Sequence, residues 1–341
     1  MEKIKVIIPS HIHHNAQIVT GFLMLAEQGW DVELEDRTGQ PDNVFENMPV
    51  VLAEYRGKKL VYNLWDGYQD RAAMKQCLDW ADLYFKRSYS DAKNAALFPA
   101  DQEKILPLGF NYHLTHKKNP INEPAWKAAA KTLMGRAPDA YFTAEVFEGT
   151  AQRITHPPRI LFLTRLWDDK DPNLDEATNR ERTQINKARI HMIRTLRQRY
   201  GDAFVGGLND NALSRAWAED LVVPAKLTER KKYVKLLHSC DICIGTMGLH
   251  ESIGWKTAEY VAAAKAVVNE TFHYSVPGDY REGEHYLAFN TAQECIDAVQ
   301  RLVEDPEKLY AMKQANESYY RNFLKPDALV RNSLKTAEKF F

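Results

Sequence analysis

Short apolar runs alternate with amphipathic stretches along most of the chain. In the first part, "IKVIIP", "WDVELED", "VVLAEY", "KLVYNLW", "LYFKRS" and "KILPLGF" predict strands. "AQIVTGFLMLAEQG", which stops at Gly29, and "DRAAMKQCLDWA" carry apolar residues at helical spacing. A second series predicts strands at "RILFLTRLW", "AFVGGL", "DICIGT" and "AVVNE". Its helices are "RTQINKARIHMIRTLRQRYG", "ERKKYVKLLHSC", "KTAEYVAAAK" and "TAQECIDAVQRLVED". Strand and helix in turn are the signature of parallel βαβ units, so two doubly wound α/β halves are expected.

Between the series, residues 116–155 bring Pro120, Pro124 and Pro138 and little periodicity beyond one short helix at "EPAWKAAAKTLMG". That composition suits an interdomain linker or an inserted excursion. The expected layout is a first domain over 1–115, this connection over 116–155, a second domain over 156–317, and a helical tail over 318–341 broken before Pro326. A chain of 341 residues exceeds a usual single-core domain, which agrees with two.

Charge removes some functions from consideration. Lys plus Arg number 45 against 46 for Asp plus Glu, so no net field draws the chain to nucleic acid. Any anion site must be local. The N-terminal apolar run is too short for a signal peptide, and no stretch approaches the roughly eighteen apolar residues of a membrane span. A cytoplasmic protein is expected. Cys77, Cys240, Cys243 and Cys295 are too sparse for a disulfide framework, and the Cys240–Cys243 spacing reads as part of a buried strand, with no second pair for zinc.

The most informative stretch is "GLHESIGWKTAEYVAAAKAVV", with Glu251 and Glu259 separated by seven residues. The pattern places Glu251 in the loop after the strand "DICIG" and Glu259 in the early turns of a helix over roughly 255–265. Ligand crevices in open α/β sheets lie beyond the carboxyl ends of the strands, where helix N-termini expose N–H groups. The amides of Ser252, Ile253 and Gly254 suit a phosphate or sugar oxygen, and Gly248 and Gly254 permit close approach. A carboxylate at Glu259 suits two ribose hydroxyls. Taken alone, two acids at this spacing are commonly surface residues. A second constellation changes the balance: in "FLTRLWDDK", Arg165 follows a strand and Lys170 lies five residues later. An Arg fork with a Lys ammonium neutralises a nucleotide diphosphate without a metal.

Together "TRLWDDK", "HSCDICIG", "GLHESIGWKTAEYVAAAKAVVNE", "WADLYFKRS" and "KILPLGFNYH" resemble the retaining GT-B glycosyltransferases known as glycosyl transferases group 1. The resemblance implies two Rossmann-like domains facing across a cleft, and a C-terminal helix, 318–341, that returns to the first domain. It implies that Arg165 and Lys170 hold the donor diphosphate, that Glu259 holds the ribose, and that Glu251 contacts the transferred sugar. His250 falls in the same donor loop. Two departures stand out. The usually glycine-rich loop after the first strand reads "PSHIHHNAQ", and Ala264, Lys265 and Ala266 occupy the usual Gly-x-Pro places.

His11, His13 and His14 lack a carboxylate or cysteine at metal-ligand spacing, so no metal is expected. Their position after the first strand makes His13 and His14 either acceptor contacts or ordinary surface histidines. Asp66, after another strand, is either a cleft residue or a turn acid. The resulting expectation is a retaining, metal-independent transfer from a nucleotide-diphosphate sugar, UDP-linked by preference, to a hydroxyl of a glycan, lipid-linked or small-molecule acceptor. No cofactor and no nucleic acid are involved, and peripheral association with the inner membrane face is left open. A non-catalytic nucleotide-sugar binding protein and a sugar-nucleotide 2-epimerase of the same fold are the alternatives.

Overall fold

The computed structural model describes residues 2–134 and 142–340. Its first sheet is built from β1 (Ile4–Ile8), α1 (Ala16–Glu27), β2 (Val32–Asp36), β3 (Val50–Tyr55), β4 (Lys58–Asn63), α2 (Arg71–Trp80), β5 (Leu83–Lys86), α3 (Asp91–Leu97) and β6 (Ile105–Pro107). The strand order is β2-β1-β3-β4-β5-β6. One strand departs from the parallel βαβ pattern: β3 runs antiparallel to both β1 and β4. The cause is local. Arg56 and Gly57 form a two-residue loop between Tyr55 and Lys58 with φ of 53° and 71°. Two left-handed central residues make a type I′ turn, whose twist matches a hairpin, and two residues are far too few for a parallel crossover.

The connection carries α4 (Ala125–Leu133) and α5 (Ala144–Phe147). The expectation for residues 135–141 of this segment lies outside the described residues. The second sheet follows with β7 (Ile160–Thr164), α6 (Glu176–Tyr200), β8 (Phe204–Leu208), α7 (Ala212–Ala218), α8 (Ala225–Thr228), α9 (Arg230–Ser239), β9 (Ile242–Gly245), α10 (Trp255–Ala262), β10 (Ala266–Glu270), β11 (Tyr286–Phe289) and α11 (Ala292–Glu304). The order is β11-β10-β9-β7-β8, with every pairing parallel. The periodicity missed β11, which is only four residues long. Helix α10 ends at Ala262 rather than near Lys265, and Ala264 turns the chain with φ of 51°.

After α12 (Pro306–Tyr319), a π-turn over Tyr320–Leu324 carries the chain back, and α13 (Pro326–Ala337) lies against α1 in the first domain. The fit is tight. A Cβ on Gly21 of α1 would stand 2.3 Å from the Pro326 carbonyl oxygen. Leu329, Val330 and Leu334 join the apolar core made by β1, α1, β3 and β4, and Tyr62 and Ser333 share a hydrogen bond of 2.8 Å. A separate core fills the space under α6 and α11, and a third cluster, including Tyr112, Phe147, Val234 and Tyr260, spans both halves. The domains therefore meet through a continuous apolar wall beneath the cleft.

Candidate active site

In the second sheet the order reverses between β7 and β9, so loops leaving these strands diverge and open a crevice at their carboxyl ends. A cavity of about 610 Å³ lies there, bounded by Leu163, Thr164 and Arg165 at the carboxyl end of β7 and by Gly245, Thr246 and Met247 at that of β9. One face of α6 holds its upper rim. Asn186 accepts from the Trp167 amide at 2.9 Å and donates to the Trp167 carbonyl at 2.8 Å. One turn on, the buried Arg189 donates to the Arg165 carbonyl at 2.7 Å, to Thr246 Oγ1 at 2.9 Å and to the Met247 carbonyl at 3.2 Å. Burial pushes the Arg189 pKa down to about 10, and the side chain remains a cation at neutral pH. Arg189 thus ties the two diverging loops together. Arg165 projects past this frame, its guanidinium 4.1 Å from the Trp167 ring centroid.

Below, Glu259 is 1% exposed, and each of its oxygens has one partner, which leaves acceptor capacity toward the cavity. It accepts from the Tyr233 hydroxyl at 2.8 Å and pairs with Arg230 at 2.7 Å. Arg230 also donates to the His113 carbonyl of the first domain at 3.0 Å and lies 4.8 Å from the Phe147 ring centroid. Lys256, in the first turn of α10, donates to the Leu163 carbonyl. Burial pushes its pKa down to about 8 against the attraction of Glu259. Five basic side chains, Arg87, Arg165, Arg189, Arg230 and Lys256, line the cavity against two carboxylates, Asp66 and Glu259. A globally neutral chain has concentrated positive charge at its sheet switch point.

The first domain closes the opposite wall. Arg87, 4% exposed at the end of β5, pairs with Asp66 and donates to the Ile253 carbonyl of the second domain at 2.9 Å. The buried Lys86 donates to the Gly67 carbonyl at 2.9 Å and so holds the Asp66 loop in place. His14 meets Trp255 edge-on at 4.8 Å, and burial followed by the nearby Arg87 charge holds its pKa below the usual imidazole range. His13 lies behind, 5.0 Å from the His113 ring and outside the cavity lining.

Of the residues singled out from sequence, Arg165, Glu259, Gly248, Ser252, Ile253, Gly254, His14 and Asp66 line the same cavity. Glu251, Lys170, His250 and His13 do not. Glu251 and His250 sit in a turn with φ of 61° and 60°. The Glu251 carboxylate receives Lys93 of α3, across the interdomain boundary, at 3.1 Å, and His273 stands 4.0 Å away. The Lys93 ammonium is the first cause of the lowered Glu251 pKa. The His250 carbonyl accepts from the Tyr274 hydroxyl at 3.0 Å. Lys170 stands in an exposed turn, its amide bonded to Asp168 at 3.0 Å.

Arg230 and Lys256 were missed in sequence, although a signal existed. Both lie in the first turns of helices that carry no acidic residue there. A cation at a helix N-terminus opposes the macrodipole, so such a placement needs a reason beyond helix stability. Among the described residues, no helix is long and apolar enough to cross a membrane, and no group of three His, Cys, Asp or Glu is placed to hold a metal ion.

Fold and site define a two-domain α/β protein of GT-B architecture with a cationic cleft. Residues 182–327 match the model of the family described as glycosyl transferase-like. The C-terminal domain of a glycosyl transferase group 1 family protein (LpcC) from Francisella tularensis is similar at 13% identity, covering 53% of this chain and 97% of that one with a TM-score of 0.38. Anabaena Alr3699/HepE in complex with UDP is similar at 11% identity, with 93% and 88% coverage and a TM-score of 0.41. Sucrose-phosphate synthase from Thermosynechococcus elongatus is similar at 12% identity, with 95% and 92% coverage and a TM-score of 0.36. No curated protein matches the chain. Two α/β sheets that share one cleft define this architecture.

Proposed function

We propose that the protein transfers a glycosyl group from a nucleoside-diphosphate sugar, UDP-linked by preference, to a hydroxyl of a glycan, lipid-linked or small-molecule acceptor. The observation that carries this reading is the switch-point cavity, where Arg165, Lys256 and Arg230 surround space bordered by Glu259 and the N-terminus of α10. Arg165 and Lys256 receive the diphosphate, and Lys170, given that role by the family resemblance, stands outside the lining in the adjoining exposed turn. Glu259, oriented by Arg230 and Tyr233, receives the ribose hydroxyls. The Ser252, Ile253 and Gly254 segment, with Gly248 before it, borders the sugar, and His250 stands outside that lining.

In the reaction the bond from the anomeric carbon to the diphosphate oxygen breaks, its electron pair staying on that oxygen. The acceptor oxygen bonds to the anomeric carbon, and its proton ends on the departing diphosphate or in solvent. Fixed cations at the leaving phosphate act where charge grows in the transition state. Glu251 lies outside the cavity lining and is held by Lys93; its role toward the positive sugar ring is taken from the likeness to the Glu-x7-Glu pattern. Asp66 and His14, which line the cavity from the first domain, border the acceptor side, and His13 stands outside that lining. Retention at the anomeric carbon is supported by the likeness of the Arg-x4-Lys and Glu-x7-Glu patterns to retaining enzymes. Metal independence is supported by the basic lining.

The test is a panel of isotopically labelled nucleotide sugars with the full chain, with and without EDTA. Transfer or slow donor hydrolysis that survives EDTA, with a product of unchanged anomeric configuration by NMR, is expected. Binding without turnover, or isomerisation of the donor, would replace the proposal with a binding protein or an epimerase. Glu251→Gln should lower kcat with little change in KM, because its charge matters most once the ring is positive.

A further inference from the structure

A second cavity, of about 820 Å³, lies at the other end of the second sheet. Asp241 immediately precedes β9 and Lys265 immediately precedes β10, so this cavity opens at the amino ends of strands whose carboxyl ends form the cleft. Both crossings of the chain between domains border it, one through residues 148–156 and the other through Tyr320, Arg321 and Lys325.

The charge of this rear cavity matches that of the cleft. Arg153, Lys265, Lys313, Arg321 and Lys325 line it against the carboxylates of Glu148 and Asp241. Lys265 and Lys313 are 7% and 4% exposed. The Lys265 ammonium donates to the His238 carbonyl at 2.8 Å, and that of Lys313 to Asp241 at 3.3 Å. The second Asp241 oxygen is taken by the Arg159 amide at 3.1 Å. An ammonium has three N–H groups, so each lysine retains two beyond the contacts made among the described residues. Buried ammonium groups are costly unless paired, and among the described residues the Asp241 carboxylate pairs with Lys313 and not with Lys265. Outward from this pair, Arg153 and Arg321 are held by Glu307 and Glu317, and Lys325 by Glu148 at 2.9 Å. The rim charges are therefore balanced, and the excess is concentrated at the inner wall.

We propose that this cavity is a second binding site, for a phosphorylated sugar. A phosphate group supplies the missing acceptors for Lys265 and Lys313. The volume, well within the range of small-molecule sites, leaves space beyond one phosphate, and Thr150, Gln152, Thr155 and Ser239 offer hydroxyl and amide partners there. A ligand so placed touches both interdomain crossings at once and fastens them together. This inference does not depend on the reading of the cleft.

The test is calorimetric titration of the full chain with glucose 6-phosphate and, separately, inorganic phosphate and glucose at constant ionic strength, with hydrogen exchange to locate the site. Saturable binding of glucose 6-phosphate is expected, at least tenfold tighter than inorganic phosphate, with glucose showing none. Exchange should slow in 148–156 and 319–325, not in 245–256. Lys265→Met should weaken binding by tenfold or more, and Thr150→Val, at an exposed position that offers the sugar a hydroxyl, should weaken it by a smaller factor. If Lys265→Met does not fold, the Thr150→Val titration and the exchange map still decide. Absence of saturable binding, protection confined to 245–256, equal affinity for phosphate and glucose 6-phosphate, or unchanged affinity in the folded variants would each overturn the proposal.

Discussion

The two sheets treat their carboxyl edges differently. In the second, neighbours β7 and β9 are both parallel, and the diverging loops leave a crevice that Arg165, Lys256, Arg230 and Glu259 fill with charge. In the first, the antiparallel β3 sits between β1 and β4, at the place where an equivalent crevice would open. Its feeding loop is pinned across that edge: Ser10 donates to the Met48 carbonyl at 2.9 Å, and Asn43 to the Pro9 carbonyl at 2.7 Å. One reversed strand therefore changes a ligand crevice into a covered rim. What remains of the first domain at the cleft is a set of loop residues, His14, Asp66 and Arg87, facing the second.

That contrast is most directly broken by removing the cation that joins the two sides. Arg230→Met leaves the buried Glu259 carboxylate with only Tyr233, and loss of one partner of a desolvated pair costs about 2–5 kcal/mol. Donor Kd should rise by roughly 30-fold or more. Wild-type affinity in this variant would place the donor away from the second domain's switch point.

The first domain can be weakened alone by pushing α13 off α1. Gly21→Val forces a side chain into the Pro326 carbonyl, and overpacking of this kind costs about 1–3 kcal/mol. Proteolysis should then appear first within residues 2–115, while the second domain stays protected. Equal protection of both would show that α13 does not brace the first domain.

A pH series sharpens the contribution of the second domain. Lys256 loses its proton near pH 8, while the donor phosphates remain ionised, so donor affinity should fall as pH rises, by at most about tenfold per unit above that point. Lys256→Arg keeps its charge and should flatten the profile. Stability moves the opposite way. The folded chain sheds this proton at about 8 and an unperturbed lysine at 10.5, so the cost of burying the ammonium shrinks between those values and stability rises with pH.

The smallest effect is expected at Ala264, a buried non-glycine residue in left-handed conformation just after α10. Relief of strain of about 1–2 kcal/mol, offset by roughly 0.5–1 kcal/mol of glycine flexibility, leaves Ala264→Gly stabilising by about 1 kcal/mol or less in denaturant unfolding. A destabilised variant would show that the Ala264 methyl contributes more to packing than its backbone conformation costs.

Most elements were legible because their signals are local. The apolar runs of β1, β4, β7, β9 and β10 are bounded by turns, and α2 and α11 begin at capping residues Asp70 and Thr291. The reversal of β3 was also written locally, in the Arg56-Gly57 turn. It was overlooked because alternating strands and helices elsewhere suggested crossovers throughout.

Local patterns along the chain already carried the two α/β domains, the strand-loop-helix unit with Glu251 and Glu259, and the place of Arg165 after a strand end. Each follows from neighbours within a few residues, where periodicity and turn chemistry act. Which of these residues share a cavity was decided only by tertiary structure. Arg230 reaches Glu259 across 29 positions, and Arg87 reaches Ile253 across 166. Lys170, five residues from Arg165, stays outside the lining that both distant arginines join. Long-range placement depends on sheet order and helix packing, and no short-range pattern encodes which loops those will bring face to face.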